Sequence, residues 1–326
     1  IDTSGSRPGR LSVSGDTLHL ASLSRLLPKE ISAQGMGSLE ARIVSRGGPW
    51  QLDGSAGIDS GTITYTPYGI TASRVNLSSE LSGSIQTPRI DFRVQTGEVL
   101  LRTQQADTSF WKGSLSGDTI RLDTGFVRFA NGGTARVSGM LPLSDLDSLL
   151  GPTNPDLQFE LTRVPLKAIS PFIPGLTVKA GILEGAGALV LKNGRLTSDG
   201  EVRLTGGVFE IEGFEKEIGP VDGRLVFAED SILIRSVEGT FGEGRIMAQG
   251  VITLQGLDMP QVDLLVSARD AEFELEEVGT VRVQSARIRI ASQGNRFRAS
   301  GSVQLGETRI TRDYGDRKST RLNSSH

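Results

Sequence analysis

The most regular feature of this sequence is the alternation of hydrophobic and polar residues in short segments. In Gly244–Leu254 the even positions carry Ile246, Ala248, Gly250, Ile252 and Leu254, while most odd positions are polar. Successive side chains of a β-strand point to opposite faces, so this pattern predicts a sheet with one dry face and one wet face.

The surrounding stretch, Gly223–Leu254, reads as three strands joined by tight turns. We predict strands at Arg224–Ala228, Ser231–Val237 and Gly244–Leu254, with the region Glu238–Glu243 as the second turn. Segments of the same kind, separated mostly by glycine-containing turns, fill nearly the whole chain and add up to roughly 25 predicted strands.

Three short helical turns interrupt this pattern, each limited by a nearby proline. We expect them at about 21–28, 144–150 and 165–171. Pro28 ends the first, Gly151-Pro152 ends the second, and Pro165 suits the first helical position of the third.

The chain also repeats itself at an offset of 146 residues. Leu23–Val75 aligns without gaps to Ile169–Val221, and turn residues such as Gly35 and Gly181 coincide. A second match joins Asp118–Leu143 to Asp230–Leu254. Repeats of this kind build elongated structures in which each unit covers its neighbour.

We therefore predict an irregular start at 1–10, a first β-repeat at 11–143 and a second at 144–315, with helical turns at its start. The chain begins at Ile1 without a signal peptide, and we interpret it as a fragment of a longer protein. The polar end, 316–326, lacks the alternation and reads either as translated sequencing adapter or as a disordered tail.

A sheet of this size must curl or divide. At about 4.8 Å per strand, 25 strands would extend roughly 120 Å, and open sheets rarely exceed about 10 strands without curling or splitting. A trough, a stack of sandwiches and a closed barrel are the possible outcomes. The chain has 41 glycines and only 5% aromatic residues, which favours a mostly-β, elongated, repetitive antiparallel sheet curled into an open hydrophobic trough.

Composition excludes several function classes. The net charge is −3, and Lys and Arg are scattered singly along the predicted strands, so nucleic acid is not an expected partner. Cysteine is absent, which rules out disulfides and thiolate metal sites. The sequence contains no run of about 18 apolar residues, the length that a membrane-spanning helix requires.

Residues suited to catalysis are also scarce. The only histidines are His19, expected on the polar side of a strand, and His326 in the tail. Glu272, Glu274 and Glu276 could suggest a cation site, but their alternation with Phe273 and Leu275 favours the wet face of one strand. We predict neither an enzyme nor a cofactor.

The aliphatic face is the remaining candidate site. It could be an ordinary dry core, worth about 25 cal/mol per Å² buried, or a surface with room for acyl chains because it carries few rings. The residues expected to face this side are Phe209, Ile211, Ile232, Ile234, Ile246, Ile252, Leu254, Ile288, Ile290, Phe297, Val303 and Leu305.

Four segments carry a family resemblance. These are ISPFIPG (Ile169–Gly175), the Gly-led strand and D-G turn of Gly181–Gly213, the hairpin and strand of Gly219–Leu254, and the closing GSVQLGETRITRDYG (Gly301–Gly315). Together they resemble the TamB branch of the AsmA-like superfamily, over roughly Leu11–Gly315. The shared motifs are periodic, so they identify architecture better than chemistry.

The resemblance implies a bridge-like lipid transfer protein of the bacterial envelope. Such proteins are anchored in the inner membrane by an upstream helix, which is not evident in this fragment. They cross the periplasm as a trough and are implicated in moving phospholipids toward the outer membrane. The TamB branch is also linked to an outer-membrane barrel partner of the TamA/BamA type and to outer-membrane protein assembly.

Two other readings of the β-rich pattern remain. A scaffold could pair its exposed strand edges with client strands during outer-membrane protein assembly. An outer-membrane barrel would need aromatic girdles, for which three Tyr and two Trp are too few, and an autotransporter-like passenger with a polar core would lack the aliphatic stripe.

Overall fold

The described residues form one antiparallel sheet of 18 strands. The computed structural model describes residues 9–22, 29–101, 104–142, 156–168, 176–192, 195–211, 217–253, 261–275, 279–293 and 296–310. Its first nine strands are β1 Gly9–His19, β2 Ile31–Ser45, β3 Gln51–Tyr65, β4 Ile70–Gly83, β5 Pro88–Thr96, β6 Glu98–Leu101, β7 Gln104–Ser116, β8 Thr119–Phe129 and β9 Thr134–Pro142. The other nine are β10 Asp156–Pro165, β11 Leu176–Lys192, β12 Arg195–Ile211, β13 Ile218–Glu229, β14 Ser231–Phe241, β15 Gly244–Thr253, β16 Gln261–Leu275, β17 Gly279–Gln293 and β18 Arg296–Ile310.

The strands pair in the order in which they occur in the chain. Each hydrogen-bonds to the strands before and after it. The exception is around β5 and β6, which both pair with β4 and with β7 and are thus two parts of one interrupted strand. Among the described residues, β1 pairs only with β2 and β18 only with β17, so the sheet has two free edges.

The 18 strands of the described residues are fewer and longer than the roughly 25 predicted for the chain. The alternation breaks near Ser60 and Gly61, yet β3 runs through both because Ser60 adopts φ 53° and the register with β4 shifts there. Such a β-bulge holds an extra residue inside a strand and reverses the alternation. Likewise, Glu238–Phe241 belongs to β14, so the predicted turn shrinks to residues 242–243.

The helical predictions are met only in small part. Single 3₁₀ turns occupy 20–22 and 166–168, at the places predicted for the first and third helical pieces. Pro165 is the last residue of β10 instead of the first of a helix. The second piece, 144–150, and the tail, 316–326, lie outside the described residues. A 3₁₀ turn at Thr66–Tyr68 was not predicted.

The internal repeat has a structural counterpart. The register pairs Met36 with Asp59 and, 146 residues later, Ile182 with Thr205. A bulge amide repeats as well. The Ser60 N–H donates to Asn76 Oδ1 (3.1 Å), and the Gly206 N–H donates to Asp222 Oδ1 (2.8 Å). Strands β1–β4 therefore match β10–β13, while the predicted boundary at 143–144 lies outside the described residues.

The described part of the sheet is a single layer. Extensive contacts between its elements occur only between hydrogen-bonded neighbours. Few large side chains are enclosed, and the largest described ones that are almost wholly inaccessible are Phe241, Val75 and Ser109. The expected elongated, mostly-β antiparallel fold is therefore present, with all described strands in one sheet.

Candidate functional site: the apolar face of the sheet

Cross-strand rows define one face of the sheet, here called the apolar face. Residues directly opposite one another in antiparallel strands place their side chains on the same face. One row crosses thirteen strands from β5 to β18, leaving out β6, and consists of Thr96, Ser109, Val127, Ala135, Leu161, Gly185, Val202, Leu225, Ile234, Gly250, Leu264, Ile290 and Ala299. A second crosses β1–β5 and β7–β9 with Val13, Ala41, Gly54, Leu81, Ile90, Leu115, Ile120 and Leu141. No charged residue occurs in either row.

The structure places ten of the twelve predicted residues on this face. Three rows show how they meet: Ile232 lies opposite Ile252, Ile288 opposite Val266, and Val303 opposite Ala286. Ile211 belongs to β12, but its side chain is not among those described. Leu254 lies outside the described residues.

Sequence reasoning named only the second half of this face. The matching residues of the first half include Leu11, Leu39, Ile43, Leu52, Ile58, Leu77, Phe92 and Leu122. The same alternation runs through these strands, and the 146-residue offset maps part of one half onto the other. Applied to the predicted set, that offset reaches none of these eight residues, whereas the second match, of Asp118–Leu143 to Asp230–Leu254, carries Ile234 onto Leu122.

Rings on the apolar face lie over glycines of neighbouring strands. Phe159, Gly187, Gly200 and Phe227 form one row across β10–β13, and the two ring centroids lie 5.8 Å apart. A Cβ atom added at Gly187 would collide with the Phe159 ring, and one added at Gly113 would press on Phe92. Glycine thus makes room for rings, which explains part of the high glycine content.

Polar groups on this face are satisfied within it. The Thr96 and Ser109 hydroxyls are 2.9 Å apart and hydrogen-bonded, and Trp111 Nε1 donates to Ser109 Oγ at 2.9 Å. Ser79 Oγ donates to the Ala56 carbonyl at 3.0 Å. These bonds leave the surface apolar in character, because a satisfied hydroxyl has little demand for water.

The apolar face has little cover among the described residues. Leu20 and Leu166, in the two 3₁₀ turns at strand ends, are buried against it. Most other apolar side chains in the middle strands are half-buried by neighbours on the same face. At the last strand, Phe297 is 61% exposed and Leu305 57% exposed. An ordinary dry core would bury these residues under a second layer, which the described elements do not form.

The opposite face, here called the polar face, carries the ion pairs. Arg289 donates two hydrogen bonds to the Asp263 carboxylate (2.7 and 2.6 Å), which lower the pKa of Asp263 and raise that of Arg289. Arg89 and Asp91 form a similar pair at 2.7 Å, and its hydrogen bonds lower the pKa of Asp91. The two faces therefore differ sharply in charge.

Of the groups considered for catalysis or metal binding, the described side chains of His19 and Glu272 lie on the surface of the sheet, while Glu276 and His326 lie outside the described residues. His19 is exposed at the end of β1. Glu272 forms an ion pair with Arg282 at 3.3 Å on the polar face, as its alternation predicts. The described residues contain no group of three or more His, Asp or Glu that could hold a metal ion. Within the same residues, no helix has the length and hydropathy needed to cross a membrane.

Comparison with known proteins gives no relative from which a role could be taken. No protein-family model matches the chain, and no curated protein or solved structure is similar enough to count as a match.

Proposed function

We propose that this chain is a segment of an envelope protein whose apolar face shields phospholipid acyl chains during transport from the inner to the outer membrane. The observation that supports this most is the set of uncharged rows, one of which continues across thirteen strands. The described elements leave most of that surface without a second layer.

The energetics of such a surface suit passive transfer. Each buried methylene contributes about 0.8 kcal/mol, so an acyl chain gains by leaving water. Because similar rows recur at every strand, the chain can move from one strand to the next without crossing a charged barrier. Headgroups remain in water at the ends of the strands. The role needs no catalytic residue and no cofactor.

The proposed setting follows from the family resemblance of the four quoted segments. It places the protein in the periplasm, anchored to the inner membrane through a segment outside this sequence. Phospholipids are the proposed ligands, and an outer-membrane barrel protein of the TamA/BamA type is a proposed partner. The single-layer antiparallel sheet is compatible with this setting.

The test compares two triple variants that introduce the same three charges on opposite faces of the sheet. One carries Ile234→Asp, Ile252→Asp and Ile288→Asp on the apolar face. The matched control carries Leu233→Asp, Val251→Asp and Leu265→Asp, which lie on the polar face of β14, β15 and β16. Each protein is purified from bacterial envelopes without detergent, and its phospholipid is quantified by mass spectrometry.

We expect phospholipid in the wild-type protein and in the polar-face control, and a loss of most of it in the apolar-face variant. Circular dichroism checks that both variants keep their β-structure. A wild-type protein without phospholipid, or equal loss in both variants, would overturn the proposal.

A second candidate function is supported by the two free edges at β1 and β18. Unpaired backbone N–H and C=O groups at a sheet edge can add a strand from another chain. The protein would then be a β-rich scaffold that assists assembly of outer-membrane proteins. Prolines at the outward-facing amides of β18 would block this pairing without altering the apolar rows. If the proline variants no longer assist client assembly but still carry phospholipid, the scaffold function is favoured.

A further inference from the structure

Three arginines that are far apart in the sequence meet on the polar face of β15–β17. Arg245 lies directly opposite Arg269, and Arg269 lies opposite Ser285. In the adjacent row, Met247, Ser267, Arg287 and Ser302 lie opposite one another. We name Arg245, Arg269 and Arg287 the arginine patch. The sequence shows these residues only as single charges, and the strand register gathers them.

No acid stands in the part of these two rows that crosses β15–β18. There the rows hold three arginines, three serines, Met247 and Gln304, and on β14 they continue to Thr240 and Glu238. Glu243 and Asp270 line the end of the same shallow hollow, but neither forms an ion pair with the patch. No described residue forms an ion pair with any of the three arginines.

Another like-charged pair in the sheet shows the contrast. Arg203 lies directly opposite Arg224 on β12 and β13. Glu201 forms ion pairs with both of them. Like charges directly opposite in a sheet are destabilising, and no described acid forms an ion pair with Arg245 or Arg269 that would offset this repulsion. A negative group brought to this pair would therefore be bound favourably.

Further arginines lie on the polar face of β15–β18. Beyond the patch, Arg298 lies opposite Ala291 on β17, and Arg289 lies opposite Ser300 on β18. Asp263 neutralises Arg289 through its ion pair, and Arg298 has no ion pair with a described residue. Arginine on an edge strand such as β18 can serve to prevent edge pairing, but β15–β17 are interior strands, and that role does not apply to them.

From this arrangement we propose that the polar face of β15–β18 docks on the phosphate headgroups of an anionic lipid surface. Guanidinium groups bind phosphate through paired hydrogen bonds. The patch spreads over three strands, about 10 Å at the usual strand spacing, and opens to solvent, which suits many phosphates in a plane better than one enclosed anion. Met247 is 54% exposed within it and provides an apolar contact for a membrane interface.

This inference does not depend on what occupies the apolar face, because the two surfaces lie on opposite sides of the sheet. Apolar-face variants such as Ile252→Asp should leave docking unchanged. Failure of lipid transport and failure of docking can therefore be told apart.

The test is flotation of the whole chain with lipid vesicles. One set contains phosphatidylcholine alone, and the other replaces one third of it with phosphatidylglycerol. We expect binding only to the second set, and weaker binding as salt shortens the Debye length from about 10 Å at 0.1 M.

The triple variant Arg245→Gln, Arg269→Gln, Arg287→Gln should bind roughly a hundredfold more weakly, since each basic residue at an anionic surface contributes about a factor of five. The matched control is Arg10→Gln, Arg42→Gln, Arg128→Gln, which removes the same charge from exposed arginines of β1, β2 and β8. It should change binding by about twofold or less. Equal losses in the two variants, or equal flotation with both vesicle sets, would overturn the proposal.

Two further measurements separate docking from its alternatives. Inorganic phosphate should compete no better than chloride at the same ionic strength, and specific displacement by phosphate would overturn docking in favour of a single-anion site. Arg269→Glu replaces a like charge with an opposite one beside Arg245. It should raise the thermal midpoint while weakening vesicle binding by roughly 25-fold, because it changes the charge by two units at about a factor of five each. Undiminished vesicle binding would overturn the proposal, and the raised midpoint shows that the variant is folded.

Discussion

Phe159 and Phe227 lie on strands three positions apart in the sheet, yet their ring centroids are only 5.8 Å apart and the rings meet edge to face. Three strand spacings amount to about 14 Å. The rings close this distance because the two residues between them in the row, Gly187 and Gly200, have no side chains. The contact therefore fixes the distance between β10 and β13 on the apolar face.

This contact predicts an energetic coupling between two strands that are not neighbours. In a double-mutant cycle with Phe159→Leu and Phe227→Leu, we expect a coupling of about 1 kcal/mol in the free energy of unfolding. The control cycle pairs Phe227→Leu with Phe92→Leu, whose ring lies over Gly113 on β7. That cycle should be additive, and a coupling of similar size in both cycles would contradict the prediction.

The glycine beneath the contact should be nearly irreplaceable. Gly200 adopts φ +135°, and an added Cβ would overlap Gly187 Cα and the Ala186 carbonyl oxygen. We expect Gly200→Ala to destabilise the protein by roughly 2–4 kcal/mol in denaturant unfolding.

The control for Gly200→Ala is Gly132→Ala. Gly132 also has positive φ, +78°, but nothing lies within 4 Å of an added Cβ. Gly132→Ala should lower the free energy of unfolding by only about 1 kcal/mol, which is the cost of placing alanine in a left-handed backbone conformation. Equal losses at the two positions would show that backbone strain alone accounts for the effect.

The internal repeat predicts that equivalent residues stabilise separate parts of the sheet. Leu20 and Leu166 stand 146 residues apart, and both are buried, at 8% and 3% exposure. Replacing either leucine with alanine should lower the free energy of unfolding by about 3 kcal/mol. Hydrogen exchange should locate the damage, with Leu20→Ala weakening protection in β1–β4 and Leu166→Ala in β10–β13. Loss of protection across the whole sheet from either change would contradict this independence.

Acid titration provides a test of the ion pairs on the polar face. The hydrogen bonds from Arg289 lower the pKa of Asp263 below its ordinary value. A lowered carboxyl pKa adds stability that is present above the unfolded-state pKa and is lost as pH falls through the folded-state pKa. Arg289→Gln should raise the pKa of Asp263 toward the ordinary aspartate value, as measured by carboxyl NMR.

Asp91 provides the internal control in the same spectra. Its pKa is lowered by Arg89, which the substitution leaves in place. The Asp91 titration should not move in the Arg289→Gln protein. Both pairs lie at the surface, with side chains between 43% and 63% exposed, so the effect on overall stability is expected to be small.

The alternating pattern carried most of the information about faces. Ile246 and Ile252 could be assigned to one side of a strand because the period of two is local and needs no knowledge of neighbours. The register then brings Ile232 opposite Ile252, in agreement with that assignment. The absence of charged residues from the two long rows follows from the same pattern.

Strand limits and exposure could not be obtained in this way. Ser60 and Gly61 break the alternation and resemble a turn, and only pairing with β4 shows that the strand continues through a bulge. Phe297 and Ile288 have similar local patterns, yet Phe297 is exposed and Ile288 half-buried, because β18 is an edge and β17 is not. The meeting of Arg245, Arg269 and Arg287 likewise depends on register.

The sequential order of strand pairing has a consequence for how such a protein can be made and enlarged. Every pairing joins segments close together in the chain, so a newly synthesised or newly exported portion can complete its hydrogen bonds before the rest arrives. Stability then grows unit by unit instead of depending on one final closure. Duplication of a repeat unit would lengthen the sheet without disturbing the strands that are already folded. The length of the sheet can therefore change through the number of repeats encoded in the gene alone.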